Sequence, residues 1–395
     1  MVEDSQAFAI IIEPICTTCC SLAGLYDASA CVIRNCHVAW VLVNARIEEV
    51  AERAGVAVST VSRALRDVPG VSAATRQRIK DIAAEVGFLA SPSAARLATG
   101  VTGTVAVIVP DATKWFFGQV ISGAGAVIRA ADRDVLLYEL GDDEGRRRFF
   151  SEQRLRGRAD AVLVLSLRLT TPETEMLRAL RVPVVLLGQR SEYFGCIRVD
   201  DRAAARAAVR HLINLGHRRI GMIGINDETE VTTGSMAPLS RVAGYRQSLL
   251  AAGIAVEDEL QQFDVNSVAG GAAAMTRLLS APTLPTAVFV GSDEMAFGAL
   301  GVAHSTGLDV PRDISFVGFD NHDLAVVMDL TTIDQDVRGQ GGAAATLLLE
   351  ALSLQSEPAT VPPVRIIDTR LVLRRSTCPP ALSPTTLTAA EKEEN

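Results

Sequence analysis

The first regular pattern of apolar and polar positions in the chain predicts a short amphipathic helix. Apolar side chains recur at i, i+3, i+4 and i+7, at Ile47, Val50, Ala51 and Ala54, and this spacing places them on one helical face. Gly55 follows directly. Because glycine adopts the left-handed backbone of a helix terminus without steric cost, it predicts the end of this helix.

The pattern predicts two more short helices after the first. A second helix that begins near Ala57 turns four apolar residues inward: Val56, Val61, Ala64 and Leu65. A third helix has Ser72 as its N-cap and Gly87 as its end. Its apolar stripe consists of Ile79, Ile82, Ala83 and Val86. This arrangement is typical of a helix-turn-helix that places its second helix in the major groove of DNA. The same residues also fit a helical hairpin without any ligand.

From residue 101 onward the pattern changes to short apolar runs, each separated from the next by a stretch long enough for a helix. Seven runs are predicted as buried strands: 104–110, 134–138, 161–166, 183–188, 219–224, 286–290 and 315–319. This alternation predicts an α/β fold with parallel sheets. Such sheets bind ligands beyond the carboxyl ends of their strands, so we expect the contact residues just after these runs.

Several motifs resemble the LacI/GalR family of bacterial transcriptional repressors. They are GVAVSTVSRAL at residues 55–65, VSAATR at 71–76 and GF at 87–88, followed by LGHRRI at 215–220, RVAGY at 241–245, SDEMA at 292–296 and SFVGFD at 315–320. The resemblance implies a periplasmic-binding-protein-like core with two doubly wound parallel-sheet subdomains, preceded by an all-α helix-turn-helix headpiece. It also implies a homodimer that binds a pseudo-palindromic operator and responds to a sugar-like effector.

The resemblance also divides the chain into segments with different roles. Residues 45–90 correspond to the headpiece, 91–100 to a hinge helix and 101–375 to the effector-binding and dimerisation core, and residues 376–395 are expected to be a disordered tail. In the headpiece we expect Val58, Ser59 and Arg63 to read bases, and Thr60, Ser62 and Arg76 to contact phosphates. Leu97 of the hinge would enter the minor groove as an apolar wedge. A plain linker with a buried leucine is the alternative for this segment.

Two aromatic and two charged residues match family positions that contact the effector. Phe116 and Phe117 offer flat rings that suit the apolar face of a sugar or a purine. Phe116 could instead cap the core of the first subdomain. Arg241 offers fixed donors and Asp320 accepts from two hydroxyls at once. These two residues could alternatively form an ion pair between the subdomains.

Three further residues are candidates for the effector site. Ser292 follows a predicted strand, and Gln189 and Arg190 follow another. Val265 departs from the family, because sugar- and purine-binding members tend to have an aromatic ring at this position. The identity of the effector is therefore left open.

The amino-terminal segment, residues 1–44, differs from the rest of the chain. It holds five of the seven cysteines, at Cys16, Cys19, Cys20, Cys31 and Cys36. Their spacing matches no regular zinc pattern, although a metal or redox site is an alternative. The segment also lacks the pattern of a signal peptide. We expect it to be a non-native or disordered extension, with the natural start near Val41 or Val43.

Charge and the remaining motifs exclude other classes of protein. The net charge is −8, but residues 44–100 hold eight Arg or Lys against six Asp or Glu, a balance of +2 that suits a DNA-binding headpiece on an acidic core. The five histidines show no metal spacing, and no nucleophile elbow or Walker motif is present. We therefore predict a cytoplasmic regulator that is not an enzyme, with no cofactor, no metal and no membrane contact. A sugar-binding protein without DNA function is the alternative.

Overall fold

The computed structural model describes residues 46–88, 101–226, 236–353 and 362–381. The chain divides into two compact units, residues 1–95 and 96–395. The predicted extension at 1–44, the hinge segment at 91–100 with Leu97, and residues 382–395 of the predicted tail lie outside the described residues.

The first unit contains the three predicted headpiece helices. They are α1 (Ile47–Ala54), α2 (Val58–Leu65) and α3 (Ala73–Glu85). Their shared core is formed by Val50, Ala51, Ala54, Val61, Ala64, Ile79 and Ala83. Gly55 has a φ of 64° and donates its N–H to the carbonyl of Ala51, which is the predicted helix end. Ser72 accepts the N–H of Thr75 as the predicted N-cap of α3. The three-helix prediction is therefore confirmed.

The second unit alternates strands and helices. Its helices are α4 (Trp115–Ala130), α5 (Asp143–Ser151), α6 (Thr171–Ala179), α7 (Asp201–Asn214), α8 (Ala237–Ala251), α9 (Val268–Leu278), α10 (Asp293–Ser305) and α11 (Val337–Ser353). Its strands are β1 (Thr104–Val109), β2 (Asp134–Glu139), β3 (Ala161–Leu165), β4 (Val184–Leu187), β5 (Gly195–Val199), β6 (Ile220–Ile225), β7 (Gln261–Asp264), β8 (Ala287–Val290), β9 (Ser315–Asp320), β10 (Thr331–Asp334), β11 (Val364–Ile367) and β12 (Arg370–Val372). All seven predicted strands are present.

The strands form two six-stranded sheets, each the centre of one lobe. Lobe 1 has the order β11-β5-β4-β3-β1-β2, and lobe 2 has the order β12-β10-β9-β8-β6-β7. All pairs are parallel except β10 with β12. The strand order reverses between β1 and β3 in lobe 1 and between β6 and β8 in lobe 2. A crevice opens at such a reversal, so each lobe offers a binding edge there.

The glycine-rich stretch at residues 339–342 forms a close contact between two helices of lobe 1. It lies inside α11, which packs against α4. A β-carbon at Gly341 would lie 2.0 Å from the carbonyl oxygen of Val120 in α4. Only glycine therefore allows the two backbones to approach this closely. The glycines lie in the first two turns of α11, which begins at Val337.

Gly341→Ala is expected to lower the free energy of unfolding by about 1–3 kcal/mol, because the added methyl group forces the two helices apart. The neighbouring Gly342→Ala is the matched control, since its β-carbon would lie 3.8 Å from Cγ2 of Val127. Alanine favours a helix over glycine, so we expect this control to be neutral or stabilising by up to about 1 kcal/mol. Urea unfolding followed by circular dichroism measures both changes. Equal losses in the two variants would contradict the close contact.

The segment after β12 packs on lobe 2, so the prediction of a disordered tail from residue 376 is wrong for residues 376–381. Ser376 is buried, and its hydroxyl donates to the carbonyl of Phe316 at 2.6 Å and accepts the N–H of Thr331 at 2.8 Å. The richness of the segment in Pro and Thr and its charged end are what predict a disordered tail. Its polar atoms instead satisfy backbone groups of the sheet.

His217 holds the same carboxyl-terminal segment. Its Nε2 lies 2.9 Å from the carbonyl oxygen of Cys378, and its Nδ1 lies 2.9 Å from the hydroxyl of Thr286. Burial lowers the pKa of His217. The residue is therefore structural, as its position near the end of α7 indicates, but it acts through these hydrogen bonds as a neutral ring and not through a charge on the helix dipole.

Candidate DNA-binding surface and effector cleft

The outer face of α2 carries the residues that the sequence assigns to base contacts. Val58, Ser59 and Arg63 are exposed, and Thr60 and Ser62 are half-buried. The opposite face of the helix is buried in the headpiece core. The structure thus brings five of the six predicted DNA contacts of the headpiece onto one helix.

Arg76, the sixth residue, has its guanidinium group turned toward the loop between α2 and α3. Its Nη2 donates to the carbonyls of Val68 at 3.0 Å and Val71 at 3.4 Å, and its Nε lies 3.5 Å from Asp67. Lys80 binds the same carboxylate at 2.9 Å, which holds the pKa of Asp67 below its usual value. Arg76 therefore stabilises the loop instead of facing outward beside α2, a role that its place in the motif did not indicate.

A cavity of about 550 Å³ lies between the two lobes, at the reversal of strand order in each sheet. We call it the effector cleft. Four of the predicted effector contacts line it: Phe116, Phe117, Arg241 and Asp320. Residues that the sequence reasoning missed line it as well: Asp111, Lys114, Glu139, Asp142, Ser166 and Asn266. Ser166 directly follows β3, and Asp111, Asp142 and Asn266 lie two or three residues after a strand. That position is the signal that could have found them.

The two phenylalanines form the apolar wall of the effector cleft. Their rings contact each other edge to face, with centroids 5.3 Å apart. Both side chains also pack against the apolar core of lobe 1. The two interpretations of Phe116 are therefore compatible, because the ring caps the core on one side and faces the cleft on the other.

Arg241 is buried at the cleft and is fixed by several partners. Its Nε donates to Asp201 at 2.9 Å, and its Nη1 donates to the carbonyl of Gly291 at 2.6 Å and lies 3.8 Å from Asp320. The guanidinium also stacks 3.6 Å above the ring of Phe319. Arg241 and Asp320 both belong to lobe 2. The alternative of an ion pair between the lobes is therefore wrong.

Asp320 ends β9 in a strained conformation at the floor of the cleft. Its φ is 121°, which is unfavourable for a residue with a side chain. Burial raises the pKa of Asp320 to about 7, although the charge of Arg241 and the amide of Gln335, which donates at 2.5 Å, oppose the shift. Burial, reinforced by the charge of Asp320, also raises the pKa of Asp293. Strain and a shifted pKa at one residue are typical of a functional site.

The pKa of Asp320 predicts a pH dependence of stability. The folded state binds the proton more tightly than the unfolded chain, whose aspartate has a pKa of 3.8. The contribution of protonated Asp320 to the free energy of unfolding is therefore complete below about pH 4 and is lost as the pH rises through about 7. We expect Asp320→Asn to gain stability relative to the parent protein between pH 4 and 7, in paired urea unfolding curves. A constant difference between the two proteins would contradict the shift.

Ser292 does not line the effector cleft, in contrast to the prediction. It is buried, caps α10 through the N–H of Met295, and donates to the side-chain oxygen of Asn266 at 2.6 Å. Asn266 itself lines the cleft. Ser292 therefore positions a cleft residue that the sequence reasoning missed.

Gln189 and Arg190 lie away from the other candidates. They line a second cavity of about 820 Å³ beside the carboxyl ends of β4 and β5, and not the effector cleft. The structure therefore separates the predicted effector residues into two places.

Polar contacts join the lobes across the effector cleft. Lys114, at the start of α4 in lobe 1, donates to the carbonyl of Asn266 in lobe 2 at 2.8 Å. Trp115 stacks on His322 with centroids 4.4 Å apart, and its indole donates to Asp323 at 3.1 Å. A rotation of one lobe against the other would break these contacts.

Comparisons with known proteins agree with this architecture. The model of the bacterial regulatory proteins of the lacI family matches residues 46–91, and that of the periplasmic binding protein-like domain matches residues 209–377. The transcriptional repressor CytR of Escherichia coli K12 is 34% identical over 339 residues, which cover 84% of this chain and 96% of CytR. The regulator GalR of the same organism is 32% identical, over 86% of this chain and 97% of GalR.

Solved structures show the same likeness. A complex of the regulator CelR with cellobiose gives a TM-score of 0.62 at 29% identity, and 84% of this chain and 99% of that chain are covered. The lac repressor dimer bound to operator and the anti-inducer ONPF gives a TM-score of 0.74 at 24% identity, over 85% of this chain and 99% of that chain. This likeness shows the shared fold.

The headpiece, the two-lobed core and these relatives define a class of protein: the chain is a DNA-binding transcriptional regulator and not an enzyme. It belongs to the LacI family of bacterial regulatory proteins. Among the helices of the described residues, none is both long and apolar enough to cross a lipid bilayer.

Proposed function

We propose that the protein is a cytoplasmic repressor that binds a pseudo-palindromic operator as a homodimer. Its affinity for the operator falls or rises when a sugar-like effector binds in the cleft. The observation that carries the proposal is the division of α2 into a buried face and an outward face with Val58, Ser59 and Arg63. Two such helices spaced one turn of DNA apart read an operator of about 16 to 20 base pairs. The alternative, a sugar-binding protein without DNA function, does not explain this outward face.

The chemistry of the effector cleft supports a polyhydroxylated ligand. Arg241 supplies donors, Asp320 supplies an acceptor, and the rings of Phe116 and Phe117 suit the apolar C–H face of a sugar. The CelR structure contains cellobiose, and a LacI family regulator from Enterococcus faecium contains bound ribose. Val265, on the opposite wall, is aliphatic and about half exposed. The ligand therefore stacks on the lobe 1 side.

Effector binding must favour one arrangement of the lobes to change DNA affinity. The contacts of Lys114 with Asn266 and of Trp115 with His322 hold the lobes in the arrangement described here. A ligand that bridges both lobes adds to these contacts in only one arrangement. Couplings of this kind amount to about 1–3 kcal/mol.

An apolar surface on lobe 2 supports the proposed homodimer. It consists of the exposed side chains of Leu324, Val326, Val327 and Met328, of which Val327 is 74% exposed. A contiguous apolar patch of this kind marks a protein interface, and a second copy of the chain covers it in a two-fold arrangement.

Val327→Asp is expected to convert the dimer to a monomer at micromolar concentration, because the patch would then bury an unpaired carboxylate. Sedimentation velocity measures the change. Leu250→Asp is the matched control, since Leu250 is 65% exposed at the end of α8, and we expect it to stay dimeric. A dimeric Val327→Asp protein would argue against this interface.

A thermal-shift screen with sugars, polyols and nucleosides tests the effector proposal. A ligand at about 100 times its dissociation constant stabilises the folded protein by about 2.7 kcal/mol. We expect at least one compound to raise the melting temperature and also to change operator affinity. A compound that raises the melting temperature and leaves operator affinity unchanged would contradict the proposed coupling.

A further inference from the structure

The second cavity, about 820 Å³ in volume, has more arginines than carboxylates in its lining. We call it the arginine cavity. Four arginines line it: Arg168, Arg190, Arg198 and Arg202. Within the described part of the chain, none of the four forms an ion pair with a carboxylate. Guanidinium groups repel one another at close range, so several of them around one cavity indicate an anionic ligand.

The three carboxylates of the lining form no ion pair with these arginines and offset their charge only in part. Asp200 caps α7 by accepting the N–H of Ala203 at 3.0 Å, and Asp201 pairs with Arg241 at 2.9 Å. The third, Glu192, is exposed to solvent. The lining therefore has a formal charge of +1, with four guanidinium groups against three carboxylates.

Two buried donor atoms in the lining have no partner. Nε2 of Gln189 and Nε of Arg198 are shielded from solvent and form no hydrogen bond with any described residue. Gln189 follows β4 and Arg198 lies near the end of β5, the neighbouring parallel strand. A buried donor without a partner is rare in a folded protein and requires an explanation. Both residues line the cavity, and a rotation of either side chain would bring its donor to an acceptor atom of a ligand there.

The amino terminus of α8 adds to the positive field. This helix of 15 residues has no side-chain cap at Met236, and Met236, Ala237 and Ser240 line the cavity. The free N–H groups and the dipole of a helix start attract anions. The cavity thus combines guanidinium groups, an amide donor and a helix terminus.

We propose that the arginine cavity binds an anionic group, a phosphate or a carboxylate, held by Gln189 and Arg198 at its base and by the exposed arginines at its rim. This inference does not depend on the operator or on the identity of the effector. Ala237 lines both this cavity and the effector cleft. The anion can therefore be a separate small molecule or the charged substituent of a ligand that spans both cavities.

Titration of the full-length protein with inorganic phosphate, with chloride adjusted to constant ionic strength, tests the proposal. We expect a saturable rise in melting temperature that chloride alone does not give. Arg198→Ala and Gln189→Leu should each weaken phosphate binding at least tenfold, as measured by calorimetry. Arg190→Ala, whose side chain is exposed, should weaken it several-fold without affecting folding. Arg147→Ala removes an exposed charge from the same lobe and should leave phosphate binding unchanged.

Comparison of a hexose, its 6-phosphate, and the hexose mixed with phosphate distinguishes the two sources of the anion. Tighter binding of the hexose phosphate than of the mixture indicates a ligand that spans both cavities. Binding of phosphate to the same extent with or without the sugar indicates a separate anion. The proposal is overturned if phosphate stabilises the protein no more than chloride, or if Arg190→Ala binds phosphate as tightly as the parent protein and the Arg147→Ala control do.

Discussion

Arg241→Ala is expected to abolish the response to effector and to lower the free energy of unfolding by about 3 kcal/mol. The change leaves the carboxylates of Asp201 and Asp320 nearly buried without their common cation, and loss of one partner of a buried ion pair costs about 3–5 kcal/mol. We expect the lower end of this range because Asp320, with a pKa of about 7, takes up a proton readily and so loses its charge. The substitution of Arg241 also removes the donor that faces the ligand. Urea unfolding and operator titrations with and without effector measure the two losses.

Two variants separate the effect on the effector site from a general loss of stability. Arg246→Ala changes the same helix, but it removes only an exposed side chain that donates to Gln261 at 2.7 Å, and we expect it to respond normally to effector. Arg241→Lys retains the positive charge but lacks the planar guanidinium group with its paired donors. We therefore expect it to be more stable than the alanine variant and still to lose most of the response to effector. A normal response in Arg241→Ala would remove this residue from the effector site.

Arg63→Ala is expected to cost about 1–3 kcal/mol of discrimination between operator and random DNA. Arg63 is exposed on α2, and a guanidinium group in the major groove reads guanine through two hydrogen bonds. Fluorescence anisotropy with an operator duplex and a random duplex at matched salt measures the loss.

Arg53→Ala is the matched control for Arg63. It removes the same charge from α1, where Arg53 forms an exposed ion pair with Glu49 at 3.0 Å, and such pairs contribute little to stability. We expect it to reduce binding to both duplexes alike. An Arg63 variant that behaves in the same way would show that the residue contacts phosphate and not bases.

The headpiece could be predicted almost completely because each of its features is local. A helical period, a glycine stop after α1 and a serine cap before α3 determine three helices within about 40 residues. The exception is Arg76, whose partners Val68 and Val71 lie in the preceding loop. An arginine in a DNA-binding motif gives no local signal of whether it faces the nucleic acid or its own backbone.

The core could be predicted in outline, and its site only in part. The strands missed from the sequence are short and carry charged or polar residues, such as β7 and β12. Asp201 accepts from Arg241, and Asn266 accepts from Ser292, across parts of the chain distant in sequence, so only the folded topology brings each pair together. The position of Ser292 after a predicted strand indicated a ligand contact, whereas its side chain caps α10.

Selection of genomic fragments with the purified full-length protein, in excess competitor DNA, shows whether α2 reads a specific operator under the control of a ligand in the core. We expect enrichment of fragments that share an inverted repeat of about 16 to 20 base pairs, bound at least about 10³-fold more tightly than bulk DNA. We also expect a stabilising sugar to shift this affinity. Equal binding to all fragments, with and without every ligand that stabilises the protein, would contradict both expectations.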